Sequence, residues 1–203
     1  MGYSQDQKIK THDRIVRTAS KRFREKGLAG VAIADLMKEI GLTVGGFYKH
    51  FDSRDDLVAE SVKAATGPLQ KQLLAAESGE AALTYGSLVD SYLSEAHRDH
   101  PGTGCPVSAL ACDIARGSKH IRSLLTEKVK SSLELFANLL PPEESAARRK
   151  AILTVSALLG ALELARAVSD QTLSDEILES TREALRQLVS GDGESHVTYG
   201  TGH

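Results

Sequence analysis

The chain has 203 residues, enough to bury one sizeable core or a small core beside a larger one. It is 41% hydrophobic, has no tryptophan and only five prolines, and carries a formal net charge of −2. No apolar run is long enough to span a bilayer, the amino terminus lacks a signal-peptide core, and two cysteines make no secreted disulfide framework, so a cytoplasmic protein is expected.

The net charge conceals an asymmetry. Residues 1–54 hold 11 Lys/Arg and 6 Asp/Glu, a net of +5, whereas residues 55–203 carry a net of −7. A basic end on an acidic body suits a DNA-reading module attached to something else. It also suits a solvated outer face on the first helix.

In chain order, apolar spacing predicts a first helix from about Lys8 to Lys26, with Ile15, Ala19 and Phe23 on one stripe and Val16 beside it. Its outer face carries Arg14, Arg17, Lys21 and Arg24. A second helix, Ile33 to Ile40, sets Ile33, Leu36, Met37 and Ile40 on one side. Gly41 stands at its expected stop. Thr43 then caps a short third helix bearing Val44, Gly45, Gly46, Phe47, Tyr48, Lys49 and His50. Two short helices about a tight turn are helix-turn-helix geometry, the second free to enter a DNA major groove. Two glycines inside so short a helix need a reason: close approach of DNA, or close packing on the preceding helix.

Ser53, Asp55 and Asp56 open a helix from about Ser53 to Glu77, which Gly67-Pro68 interrupts. A fifth segment from Glu80 to Arg98 follows, then a break at HPGTG. Cys105-Pro106 opens a short helix to about Arg116. Ser118 caps another to about Leu140, and Pro141-Pro142 stops it. A long apolar helix spans about 143–169, and a last runs from Ser174 to Val189 as a narrow seam. The polar, glycine-rich residues 191–203 are expected to form a flexible tail. The fold class is therefore all-α. The expected domains are a helix-turn-helix domain over 1–54 and a helical ligand-binding and dimerisation domain over 55–190.

The amino-terminal residues resemble the TetR family of one-component regulators. The matching positions are Gly27, Gly41, Thr43, the run Phe47-Tyr48-Lys49-His50-Phe51, and Ser53-Arg54-Asp55-Asp56-Leu57. Ala32 departs from the Ser or Thr usual at the second helix cap, a loss of about 1 kcal/mol. From the residues, Thr43, Val44 and Gly45 are candidates for base contacts, and Tyr48, Lys49 and His50 suit phosphate. By resemblance, Tyr48 and His50 are the usual phosphate contacts, and Arg54 would reach phosphate where the family commonly has Lys. Phe47 and Phe51 read as core.

The resemblance implies a repressor that dimerises through its last two helices and reads a near-palindromic double-stranded operator. Ala157, Gly160, Ala161, Ala165, Ile177, Leu178, Leu185 and Leu188 are the interface candidates, although the small residues among them suit the protomer's own core equally. The middle helices should enclose a cavity for an unidentified small-molecule effector. Candidate lining residues are Leu88, Tyr92, Cys105, Leu110, Leu124, Phe136 and Leu162. No cofactor, metal or membrane partner is expected.

Cys105, near a helix N-cap, reads either as a redox- or electrophile-responsive thiol or as a small buried turn residue. Cys112 lies two turns on, about 10 Å away and too far for a disulfide within one helix. The competing reading is a small helical enzyme or metal-binding protein using His97, His100 and Cys105.

Overall fold

A computed structural model describes residues 5–78, 83–140 and 146–190, and every regular element among them is helical. The order is α1 (Gln5–Lys26), α2 (Ile33–Glu39), α3 (Val44–Phe47), α4 (Arg54–Ala64), α5 (Pro68–Glu77), α6 (Tyr85–Tyr92), α7 (Glu95–Asp99), a 3-10 turn (Pro101–Thr103), α8 (Pro106–Ala115), α9 (Lys119–Asn138), α10 (Ala147–Ala167) and α11 (Gln171–Ser190). The tail expected over 191–203 lies outside the described residues, as does the Pro141-Pro142 stop.

Two apolar clusters organise these helices. The first gathers Ile15, Val16, Ala19 and Phe23 of α1, Leu36 and Met37 of α2, Phe47 and Phe51, and Leu57, Val58 and Val62 of α4. It also takes Leu110 and Ile114 of α8 and Ile121 of α9, so the amino-terminal helices are seated on the body by shared core. The second contains Tyr85, Leu88, Val89, Tyr92 and Leu93 with Phe136, Leu158, Leu162, Leu178 and Leu185, and packs α6, α9, α10 and α11 together. Gly27 and Gly41 end α1 and α2 at φ of 72° and 70°, a region that a side chain with Cβ enters only at a cost.

Helix boundaries follow local capping. Thr43 Oγ1 accepts the Gly46 amide at 3.2 Å, and Ser53 Oγ accepts that of Asp56 at 3.1 Å. Ala32 provides α2 with no side-chain cap, as its methyl dictates. The single helix expected over Glu80–Arg98 is two: α6 ends at Tyr92, and Ser94 starts α7 by accepting the His97 amide at 3.2 Å. Arg182 reinforces the break by donating to the Leu93 carbonyl at 3.0 Å. The last helix begins at Gln171, earlier than expected, because Asp170 Oδ1 accepts the amides of Thr172 and Leu173 at 2.9 and 3.2 Å. Ser174, expected at its start, is instead buried and donates to the Ala165 carbonyl at 2.7 Å.

Candidate nucleic-acid interface and effector cleft

The cap at Thr43 and the buried ring of Phe47 orient α3. Phe47 is 1% exposed and stacks on Phe51 with ring centroids 5.3 Å apart, while Leu36 and Met37 pack in the same cluster. This anchoring leaves Thr43, Val44, Gly45, Tyr48 and Lys49 exposed, with Tyr48 at 65%. A methyl on Gly45 or Gly46 would meet only ordinary contacts, the nearest being Thr43 Oγ1 at 4.0 and 3.7 Å. Packing within the protein therefore does not require glycine at either position.

His50 is half-buried beside the face. Its ring lies 5.8 Å from His12, whose own ring stacks on Phe51 at 4.6 Å and whose Nε2 meets Glu60 at 2.7 Å. Burial first, and then the charges of His12, Lys8 and Lys49, hold the His50 pKa below the ordinary imidazole value.

Arg54 departs from expectation. Its Nη2 donates to the carbonyls of Leu28 and Val31 (3.2 Å for Val31), and its guanidinium carbon lies 5.6 Å from the centre of the Phe23 ring. These bonds brace the α1–α2 turn and draw the side chain away from a phosphate role. Arg24, expected on the outer face of α1, is also turned inward. Its Nη1 donates to Gly104 O at 2.6 Å and Thr66 O at 3.0 Å.

An apolar cleft of about 390 Å³ opens between the α4–α5 linker, α5, α8 and α9. Leu69, Leu73, Val107 and Leu135 line it, together with Cys105, Lys128, Ser131 and Ser132. A void of about 10 Å³, the size of one water, continues inward past Cys105 to Tyr92. Of the expected lining residues only Tyr92 and Cys105 reach this space. Leu88, Phe136 and Leu162 are wholly buried in the second cluster, and Leu110 and Leu124 belong to the amino-terminal one. Periodicity marks all of them as inward-facing but cannot say which inward space is filled.

Cys105 is the N-cap of α8 with Pro106 at its first position, as expected, and its side chain makes no cap bond. Tyr92 is 1% exposed, and its hydroxyl lies beside Cys105 and Ser108 without a hydrogen bond of acceptable geometry to either. The enzyme and metal reading fails on His97. Nδ1 donates to Tyr92 O at 2.6 Å and Nε2 accepts the Cys105 amide at 2.9 Å, so both nitrogens are committed and the ring is neutral. Burial, with Arg166 nearby, pushes its pKa down to about 4. Among the described residues no three His, Cys, Asp or Glu side chains stand together as metal ligands, and Cys112 is exposed on its own.

The interface candidates divide. Ala161, Ala165, Leu178 and Leu185 are buried in the protomer's own core, and Ala157, Ile177 and Leu188 pack against it. Gly160 is exposed with open space around it. The uncovered apolar residues are others: Ile152, Leu153 and Leu164 of α10 and Leu173 of α11, at 42–58% exposure. Leu153, Gly160 and Leu164 recur at helical spacing and form one stripe.

An all-α chain that presents a capped, anchored second helix beyond a tight turn is of the helix-turn-helix DNA-binding class. Residues 15–61 match the family model for bacterial regulatory proteins of the tetR family. An HTH-type transcriptional regulator of Mycobacterium tuberculosis is 27% identical over 186 residues, covering 85% of this chain and 93% of the relative. A TetR regulator from Chloroflexus aurantiacus shares the fold at a TM-score of 0.73 and 23% identity, with 90% of this chain and 98% of that one covered. Reduced NemR of Escherichia coli does so at 0.69 and 18%, over 88% and 96%. Residues 15–61 thus carry the regulatory domain of the tetR family, and the chain as a whole is similar in sequence and fold to DNA-binding transcriptional regulators.

Proposed function

We propose that the chain is a homodimeric repressor, acting in the cytoplasm, that is released from a near-palindromic operator by a small molecule held in the α5–α8–α9 cleft. Residues 1–54 form the DNA-reading unit in this reading and 55–190 the effector-binding and dimerisation unit. The observation that carries it is the pairing of an exposed α3 face with an exposed apolar stripe on α10. One such α3 spans only a few base pairs, and two on successive major grooves must be held ~34–36 Å apart by a dimer. The stripe at Leu153, Gly160 and Leu164 supplies a surface that a second copy would cover. Thr43, Val44 and Gly45 would meet bases, and Tyr48, Lys49 and His50 phosphate.

A second route to release is favoured by the position of Cys105, a half-buried wall of the same cleft. Arg24 donates to the preceding carbonyl, Gly104 O, at 2.6 Å, and Lys128 lines the same cleft. Covalent modification there would enlarge a side chain whose backbone already touches the linker.

The test is anisotropy binding to duplex from upstream of the chain's own coding sequence, against random duplex, with the oligomeric state measured in parallel. Selective binding by a dimer supports the repressor reading. A monomer, or equal affinity for both duplexes, overturns it. Loss of selective binding under a mild oxidant, abolished by Cys105→Ser, would assign release to the cysteine.

A further inference from the structure

Lys128 is the side chain that joins the cleft to α4, and it does so as a cation without a counter-anion. It lines the cleft, and its Nζ donates to the carbonyls of Ala65 at 3.0 Å and Lys63 at 3.4 Å, at the carboxyl end of α4. Among the described residues no carboxylate lies within ion-pair distance of it. Glu127, the acidic residue of the cleft, is exposed and paired with Lys130 at 3.0 Å. Burial lowers the Lys128 pKa, the signature of an ammonium taken from water without full compensation. Arg24 adds a second positive charge on the other side of the linker, bonded to Thr66 O and likewise lacking an ion-paired acid.

Two neutral carbonyls occupy two of the three ammonium donors, so the third donor and most of the charge go unanswered. The cleft walls are aliphatic, and about 390 Å³ accepts a small molecule of mainly apolar body. We propose that the effector is an amphipathic carboxylate whose head pairs with Lys128 while its chain lies on Leu69, Leu73, Val107 and Leu135. This proposal rests on the regulator reading and names its ligand class.

It also names the transmitting residue. A carboxylate on Nζ is a stronger acceptor than the Ala65 carbonyl. Pairing at the free third donor therefore draws Nζ toward the cleft and weakens its bonds to Ala65 and Lys63 at the end of α4, and α4 contributes Leu57, Val58 and Val62 to the core that seats α3. The ligand has differential affinity for the state in which α4's last turn is released, as any allosteric effector must.

The experiment is calorimetric titration of the full chain with decanoate and with decanamide, its uncharged counterpart of equal chain length. Decanoate is expected to bind saturably and at least tenfold more tightly than decanamide. Lys128→Met, which keeps the apolar stem, should abolish that preference and leave decanamide affinity within twofold. Should Lys128→Met fail to fold, Ser131→Trp, on the exposed surface of α9 beside the cleft, must weaken both ligands. Hydrogen exchange over residues 60–66 should quicken with decanoate. Equal affinity for the two compounds, no saturable binding, or binding indifferent to the variants overturns the site. Saturating decanoate with unchanged exchange at 60–66 overturns the latch. Neither readout uses DNA, so failure to find selective operator binding counts against the regulator reading alone.

Discussion

Gly67 and Cys105 meet backbone to backbone: a Cβ placed on Gly67 would come 2.9 Å from the Cys105 Cα and 3.2 Å from its amide nitrogen. The α4–α5 linker is thus pressed on the start of α8, and Arg24 and Lys128 hold its carbonyls from either side. Gly67→Ala must push the linker off α8, an overpacking that costs about 1–3 kcal/mol. Thermal unfolding should show a clear fall in Tm. An unchanged Tm would mean that the linker gives way freely and is no strut.

The glycines of α3 make an opposite prediction for stability and binding. The protein leaves room for a methyl at Gly45, and Gly→Ala within a helix stabilises by about 0.5–1 kcal/mol. Gly45→Ala should therefore raise Tm slightly while weakening operator binding, because on the proposed reading the methyl would stand where DNA approaches. Tyr48→Ala should weaken binding to every duplex alike and lower its salt dependence, whereas Thr43→Ala should alter preference among sequences. Unimpaired operator binding by Gly45→Ala would remove DNA approach as the reason for glycine.

Arg54 should behave as a brace. Lysine cannot reproduce a planar guanidinium that bonds two carbonyls and lies over Phe23. Arg54→Lys is expected to cost about 1–2 kcal/mol in denaturant unfolding. The slope of DNA affinity against salt should stay as in the wild type. A slope lowered by about one phosphate contact would return Arg54 to the DNA face.

Acid should loosen the body through His97. Its folded pKa is about 4 against an ordinary 6.5, so between those values the unfolded chain binds more protons than the folded one. Stability present above pH 6.5 is then lost as pH falls, by about 3 kcal/mol in all at pH 4. His97→Asn, which does not titrate, should flatten unfolding free energy across this window. The same acid slope in the variant would place the loss elsewhere.

If the α10 stripe is the interface, charge on it must split the dimer. Leu164→Asp leaves the protomer core untouched, since Leu164 is 58% exposed. Sedimentation should show a monomer of unchanged helicity with selective operator binding lost. A variant that stays dimeric would move the interface off this stripe.

The amino-terminal module was legible because its signals are local: a cap at Thr43, a stop at Gly41 and apolar spacing through Phe47 and Phe51 all act within a turn or two of chain. The same locality gave the interruption at Gly67-Pro68 and the N-cap at Cys105. It misled where a distant group such as Arg182 acted, or where a local cap, Ser94 or Asp170, went unread. Arg182 and Ser94 divide α6 from α7, and Asp170 moves the start of α11.

By itself the sequence determined most of the helices and the turn between α2 and α3, because 3.6-residue periodicity and end capping are properties of neighbouring residues. The tertiary structure decided which inward-facing residues fill core and which line space, so that Tyr92 and Cys105 reach the cleft and Leu88, Leu110, Leu124, Phe136 and Leu162 do not. It also decided that Arg24, Arg54 and Lys128 serve backbone carbonyls rather than solvent. A long cationic side chain reads alike at any outward position, and its role is set by whichever carbonyl the packed fold brings within its reach.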